Sequence, residues 1–305
     1  MPALSGDQHE IAFGDQRAVV VEVGGGLRTY SAGGLELLDG YGEDELCHSG
    51  RGQILAPWPN RLEDGSYEFD GQQHQLPIDE AWSHNAIHGL VRWASWTVAE
   101  HEPARVVMEH TLYPRPGYPF TLALRAEYEL GPSGLTVRTT ATNAGAEACP
   151  FGGGAHPYLR LGTEVVDPLV LRVPASTLLL SDNRRLPAGS VPVDGTEFDF
   201  REPRRIGATK LDNAYTDLVR DDGLARVDLE NDASGARVSL WVDASYPYLM
   251  VFTGDPLPDV NRRSIAVEPM TCPPNAFRSG DSLIRLAPGD SHAGRWGIAP
   301  TACHT

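Results

Sequence analysis

The stretch TLALRAEYEL at residues 121–130, closed by GPSG at 131–134 and answered by LTVRTTAT at 135–142, decides the fold. Leu122, Leu124, Ala126, Tyr128 and Leu130 fall on alternate positions, while Thr121, Arg125, Glu127 and Glu129 share much of the other face. A period of two marks a strand with one face buried and one wet. The Gly131-Pro132-Ser133-Gly134 break supplies turn chemistry, and Leu135, Val137, Thr139 and Ala141 then resume the period, which predicts a β-hairpin.

Working outward, SYEF at 66–69 and QQHQL at 72–76 flank Asp70-Gly71, a pair suited to the positive φ angles of a tight hairpin turn. Further strand candidates are RAVVVEV, LELL, SWTVAE, RVVMEHTL, LVLRV, STLLLS, RVDLE, RVSLWVD, YLMVFTG and RSIAV. No long window carries helical periodicity. Short strands punctuated by 32 Gly and 24 Pro indicate an all-β chain, a large antiparallel sandwich or barrel, rather than alternating β and α units. Residues 1–305 are expected to form one domain, since all-β units often exceed 200 residues, with about the first ten residues loose.

A net charge of −16, from 25 Lys plus Arg against 41 Asp plus Glu, repels phosphate backbones and argues against nucleic acid and anionic membranes as partners. Cys47, Cys149, Cys272 and Cys303 lie far apart without ligand spacing, so neither a zinc site nor a disulfide framework is signalled, and free thiols are expected. MPALSGDQHEIAF lacks the basic-then-apolar pattern of a leader, and no run reaches the roughly 18 apolar residues of a membrane span. A soluble cytoplasmic protein, monomer or homodimer, is expected.

Five polar residues stand beside Gly, Pro or Asn at probable strand ends, where loops display functional groups from a rigid sheet. They are Arg61 in PWPNRLEDG, His88 in HNAIHGLVRW, His156 in GGGAHPYL, Asp212 in KLDNAYTDL and Glu268 in AVEPMTCPPN. Each has a structural alternative: an exposed pairing of Arg61 with Glu63 or Asp64, a half-buried turn histidine at 88, an Asx-turn at Asp212-Asn213. The prolines after His156 and Glu268 favour an extended backbone, so those two residues can also be read as strand termini.

Taken together, these segments resemble the aldose 1-epimerase, or galactose mutarotase-like, family over nearly the whole chain. APWPNRLEDGSYEFDGQQHQL is similar to the family's Asn-Arg-x(3)-Gly-x-Tyr-x-Phe-x-Gly hairpin, and NAIHGLVRWASW to its His-Gly segment. GGGAHPYLRL, LDNAYTDL and VEPMTCPPNAF resemble its later histidine, aspartate and glutamate motifs. The resemblance implies a β-supersandwich, no cofactor or metal, and a free sugar as the small-molecule substrate. It further implies that Glu268 is the general base and His156 the general acid, with Arg61, His88 and Asp212 binding sugar hydroxyls. Leu90 and Leu159-Arg160 depart from the family pattern, which leaves the preferred aldose open.

The chemistry is consistent with that assignment. Anomer exchange removes a proton from the C1 hydroxyl and delivers one to the ring oxygen as the C1–O5 bond breaks, each positioned group contributing about 10²–10⁴ in rate. Trp58, Trp82, Trp93, Tyr158 and Phe277 lie near the motifs and are candidates to cover a sugar face. Arg184-Arg185, Arg204-Arg205 and Arg262-Arg263 are candidates to hold a phosphate or sulfonate, so an epimerase for an anionic hexose such as a hexose 6-phosphate is the alternative enzyme. A non-catalytic carbohydrate-binding protein is the alternative outside enzymes, although binding alone does not require this acid and base together. A glycosidase would need two carboxylates flanking a glycosidic bond.

Overall fold

The computed structural model describes residues 3–257 and 260–301; Cys303 lies outside them. The hairpin at 121–142 forms as the alternation requires. Leu122–Gly131 pairs with Gly134–Asn143 in register Leu130↔Leu135, and Leu122, Leu124, Ala126, Tyr128 and Leu130 are all buried. The Asp70-Gly71 turn likewise has positive φ at both residues, joining Ser66–Phe69 to Gln72–Gln75.

This hairpin supplies the third and fourth strands of a nine-stranded antiparallel sheet. Its order is Thr97–Glu102, Arg105–Leu112, Leu122–Gly131, Gly134–Asn143, Ser291–Thr301, Ala236–Val242, Ala225–Asn231, Val170–Arg172 and Arg204–Arg205. The edge strand Thr97–Glu102 is wholly exposed, bulged and charged, features that discourage edge-to-edge pairing with another chain. A second, eight-stranded sheet runs Pro187–Pro192, Ala175–Ser181, Asp212–Leu218, Tyr248–Phe252, Ile265–Met270, Gly154–Ala155 and Ile54–Leu55, with Tyr158–Leu159 also pairing Ile265–Met270. At the start of the chain Leu4 donates to the Glu43 carbonyl, and Gln8–Phe13 is a strand paired with Gln16–Val21. The only helix among the described residues is the four-residue Ala276–Ser279, and no helix there is long and apolar enough to cross a membrane.

One apolar cluster unites the sheets, with Leu124, Val137 and Leu240 from the first and Leu249, Val251 and Val267 from the second. Truncating a fully buried leucine such as Leu240 to alanine costs about 2–5 kcal/mol in cores of this kind. Alternation then places the chemistry. Because Ile265 and Val267 enter that core, Glu268 must face the other way, beside Met250 and Met270. Asp212 shares its strand face with Ala214, which belongs to the same satellite cluster.

Candidate active site

Two local structures bring Arg61 and His88 together. Arg61–Glu63 pairs with Asn85–Ile87, setting Arg61 opposite Ile87, and His88 follows at once. Asn60 and His88, both in the left-handed region, lock this corner: the His88 N–H donates to the Asn60 carbonyl at 2.9 Å, and the Asn60 N–H donates to His88 Nδ1 at 3.2 Å. Glycine follows His88 because a Cβ on Gly89 would lie 2.0 Å from the Ala56 carbonyl oxygen, at φ +75.

His156 leaves Gly154–Ala155 with both backbone groups tied to one loop, its N–H to the Gln53 carbonyl and its carbonyl to the Gly52 N–H. Its ring lies flat on Tyr158, centroids 4.9 Å apart and planes 9° apart, and edge-on to His88 at 5.1 Å. A Cβ at Gly50 would come within 2.8 Å of that imidazole, so the loop approaches closely only as glycine. Glu268, opposite Met250 in the next strand pair, puts Oε1 3.3 Å from His156 Nε2. The two residues the sequence singled out, 112 positions apart, are thus in direct contact.

His156, Glu268, Arg61, His88 and Asp212 all line one cavity of about 700 Å³. Arg61 is not paired with Glu63 or Asp64. Its guanidinium forks onto Glu80, Nε to Oε2 at 2.7 Å and Nη2 to Oε1 at 2.8 Å, and Ser83 also donates to that carboxylate. Burial opposes ionisation of Glu80, but the Arg61 and Ser83 hydrogen bonds prevail and hold it below the usual carboxylate range. Asp212 opens the strand Asp212–Leu218, and its carboxylate meets Arg185 Nε at 3.3 Å instead of capping a turn.

Electrostatics separate the central pair from ordinary ion pairs. Burial raises Glu268 well above the usual carboxylate value, with the Asp212 charge adding and Arg61 opposing. Burial, with Arg92 and Arg51 adding, lowers His156 to about 3. The 3.3 Å contact has ion-pair geometry, yet both shifts favour the neutral partners, a carboxylic acid beside a neutral imidazole. His88 is also pushed well down, by burial and then His156.

Ligand-type atoms of His88, His156 and Glu268 lie within 4.8 Å of one another, a spacing that a metal ion would accept. The hydrogen bond accepted by His88 Nδ1 puts the proton of its neutral ring on Nε2, which makes that nitrogen a donor to oxygen and not a metal ligand.

Of the aromatics flagged by position, Trp82, Trp93 and Tyr158 line the cavity, the two tryptophans largely exposed. Trp58 and Phe277 are buried against each other and belong to the core. Of the arginine pairs, only Arg185 reaches the cavity wall. Arg184 is held by Asp64 and by the Ser83 and His84 carbonyls, Arg204 by the Asp199 and Glu197 carbonyls, Arg262 by Asp167 and Asp255, and Arg263 by Asp39; Arg205 faces Asp232. Sequence reasoning assigned no role to Asn60, Glu80 or Arg92; Asn60 and Arg92 stand inside the quoted motifs beside Arg61 and His88, whereas Glu80 carries no local signature beyond a loop. Cys47, Cys149 and Cys272 are free and buried, as expected.

The aldose 1-epimerase family model matches residues 7–298. The chain belongs to the aldose 1-epimerase family. Members are sugar-converting isomerases, and the fold is that of the galactose mutarotase-like proteins. Among relatives, the YihR protein of Escherichia coli K12 is 36% identical over 289 residues, 94% of this chain and 91% of its own. The maltose epimerase of Levilactobacillus brevis is 27% identical over 246 residues, 72% of this chain and 71% of its own. The human galactose mutarotase is 28% identical over 169 residues, 51% and 46% of the two chains. Among solved structures, the GalM/aldose epimerase homologue of C. elegans superposes with a TM-score of 0.88 at 19% identity, covering 98% of this chain and 99% of its own. A galactose mutarotase-like protein of Clostridium acetobutylicum does so with a TM-score of 0.84 at 19% identity, over 96% and 95%.

Proposed function

We propose that this aldose 1-epimerase family member interconverts the α and β anomers of a free hexose, without a cofactor or metal, using Glu268 as base and His156 as acid. The observation that carries the reading is the 3.3 Å contact between two buried proton carriers on the wall of a cavity that also presents Arg61, His88 and Asp212. Glu268 Oε2 is buried and has no hydrogen-bond partner among the described residues, so it is left to accept from a sugar hydroxyl. His88 offers Nε2–H, Arg61 a guanidinium already aimed by Glu80, and Asp212 acceptor oxygens for a second hydroxyl pair.

The reacting state carries one proton on the pair. Glu268 as carboxylate takes the proton from the C1 hydroxyl, His156 as imidazolium gives one to O5, and the C1–O5 bond breaks to leave an open-chain aldehyde. The C1–C2 bond rotates. Closure reverses both transfers and delivers the other anomer, so protons balance over the cycle.

A second reading, an epimerase for an anionic hexose, is favoured by Arg185 on the wall, its side chain 44% exposed and, among the described residues, engaged only by Asp212. NMR exchange or optical rotation of freshly dissolved α-aldoses, neutral and 6-phosphorylated, tests both. Acceleration of the neutral sugars supports the first reading, acceleration confined to the anionic ones the second, and acceleration of neither, with saturable binding, a non-catalytic sugar-binding role.

A further inference from the structure

Behind the catalytic wall lies a buried charge cluster that the reaction does not touch. Arg51 and Asp39, with side chains 1% and 2% exposed, form an ion pair at 3.0 Å. Asp39 also accepts from Ser264 Oγ at 2.7 Å and from Arg263 at 2.8 Å, while Arg51 bonds His48. A buried ion pair is a weak device for stability, because the desolvation cost of two charges offsets most of their attraction. Its placement points elsewhere. The Arg51 guanidinium carbon stands 4.3 Å over the Tyr158 ring, and His156 stacks on that ring at 4.9 Å. Cation and imidazole therefore share one aromatic partner, the Tyr158 ring. The Tyr158 hydroxyl is tied to the Ser49 carbonyl at 3.0 Å, which keeps the ring from sliding out.

We propose that Arg51 is a positioning residue for the proton-transfer pair: anchored by Asp39, it holds in place the Tyr158 ring on which His156 stacks and fixes a positive charge near the imidazole. That ring sets the plane from which Nε2 meets both Glu268 and the sugar oxygen. The charge disfavours the imidazolium and so biases the shared proton toward Glu268. Other groups facing His156 are Glu268 and His88 at its edge, Tyr158 on its face, and Arg92 and Arg61 on the cavity loops. Arg92 is held to Asp79 and Arg61 to Glu80, whereas Arg51 acts through a ring in direct contact with the histidine.

The inference rests on the acid role given to His156, and its test keeps the two apart. Arg51→Met leaves Asp39 with Arg263 and Ser264, so the fold has partners to retain. A unit charge no more than roughly 9 Å away, given distances of 4.3 and 4.9 Å to the shared ring, moves a titration by about one pH unit at an effective dielectric of about 20. In Arg51→Met the acid limb of the kcat profile therefore shifts up by about one pH unit, and kcat on the plateau falls about tenfold with KM within about threefold. Arg51→Lys returns the limb toward its original position. Tyr158→Leu, which keeps both charges and removes the ring, lowers kcat with less movement of the limb, and it serves if the methionine variant does not fold. NMR titration of the His156 ring reads the same shift in protein that turns over no sugar, so loss of the catalytic reading does not remove the test. Superimposable His156 titrations in wild type and Arg51→Met, a lysine variant indistinguishable from methionine, or undiminished kcat in Tyr158→Leu each overturn the proposal.

Discussion

Replacing Glu268 with glutamine probes the base with little disturbance of packing. The side chain is 2% exposed, the amide occupies the same volume, and its oxygen can still face His156 Nε2 across the 3.3 Å contact. What is lost is the capacity to hold and release a proton. A positioned general base contributes about 10²–10⁴ in rate, which corresponds to about 3–5 kcal/mol in the barrier. Anomer exchange of a ¹³C1-labelled hexose, followed by NMR magnetisation transfer, should fall by at least about a hundredfold with KM changed less than about threefold. Stability supplies a second signature. Burial raises the folded-state pKa of Glu268, so its contribution to stability is complete below the ordinary value of 4.5 and is lost as pH rises through the raised value. Urea unfolding of the glutamine variant should lack this alkaline loss, and the variant should gain on wild type as pH increases. A folded Glu268→Gln protein exchanging anomers within about threefold of the wild-type rate would refute the assignment of the base.

His156 carries the opposite sign: with its pKa lowered from 6.5 to about 3, its stabilising neutrality is complete above 6.5 and is lost as pH falls toward 3. Between pH 7 and 4.5, wild type should lose about 3 kcal/mol more unfolding free energy than His156→Asn, as read by urea titration. Arg61→Met strands Glu80, whose side chain is only 13% exposed, and should cost about 2–3 kcal/mol in stability and raise KM, with Arg61→Met/Glu80→Gln recovering most of the stability. Arg185→Ala should alter kcat/KM for neutral hexose and hexose 6-phosphate by similar factors; a selective loss of tenfold or more for the phosphate, measured side by side, favours the anionic substrate.

The elements carrying strict alternation were legible before any coordinates. In the hairpin at 121–142, side-chain period and turn chemistry specify the same register, and the structure has it. The five candidate site residues were legible only as a set, since each has a bland local explanation and none reveals which side chain it meets. Glu80 could not be matched to Arg61 because its loop, PIDEAWSHN, offers two adjacent acids and no period, and Glu63 and Asp64 are nearer in sequence. Arg51, between two glycines in HSGRGQ, reads as an exposed loop cation, yet it is nearly fully buried because Asp39, Ser264 and Arg263 arrive from distant segments. Trp58 and Phe277 were ambiguous for the same reason. Apolar rings near a motif serve core and cavity equally until a partner is known.

The preference of the central pair for its neutral form has a consequence for the reaction we propose. Ring opening starts from carboxylate and imidazolium and ends with carboxylic acid and neutral imidazole, the form that burial of both groups favours. The neutral pair is also the resting form, so a proton passes from Glu268 to His156 before the step, and the cost of that transfer is returned as the ring opens. The preference for the neutral pair therefore cancels between closed and open sugar, and the gain in rate comes from holding the two proton carriers in reach of the C1 hydroxyl and O5. Arg51 over Tyr158 favours the neutral pair by penalising the imidazolium, while Asp212 beside Glu268 penalises the carboxylate. Charges that would be wasteful in a purely structural site thus act on opposite members of one proton pair and push it the same way, toward carboxylic acid and neutral imidazole.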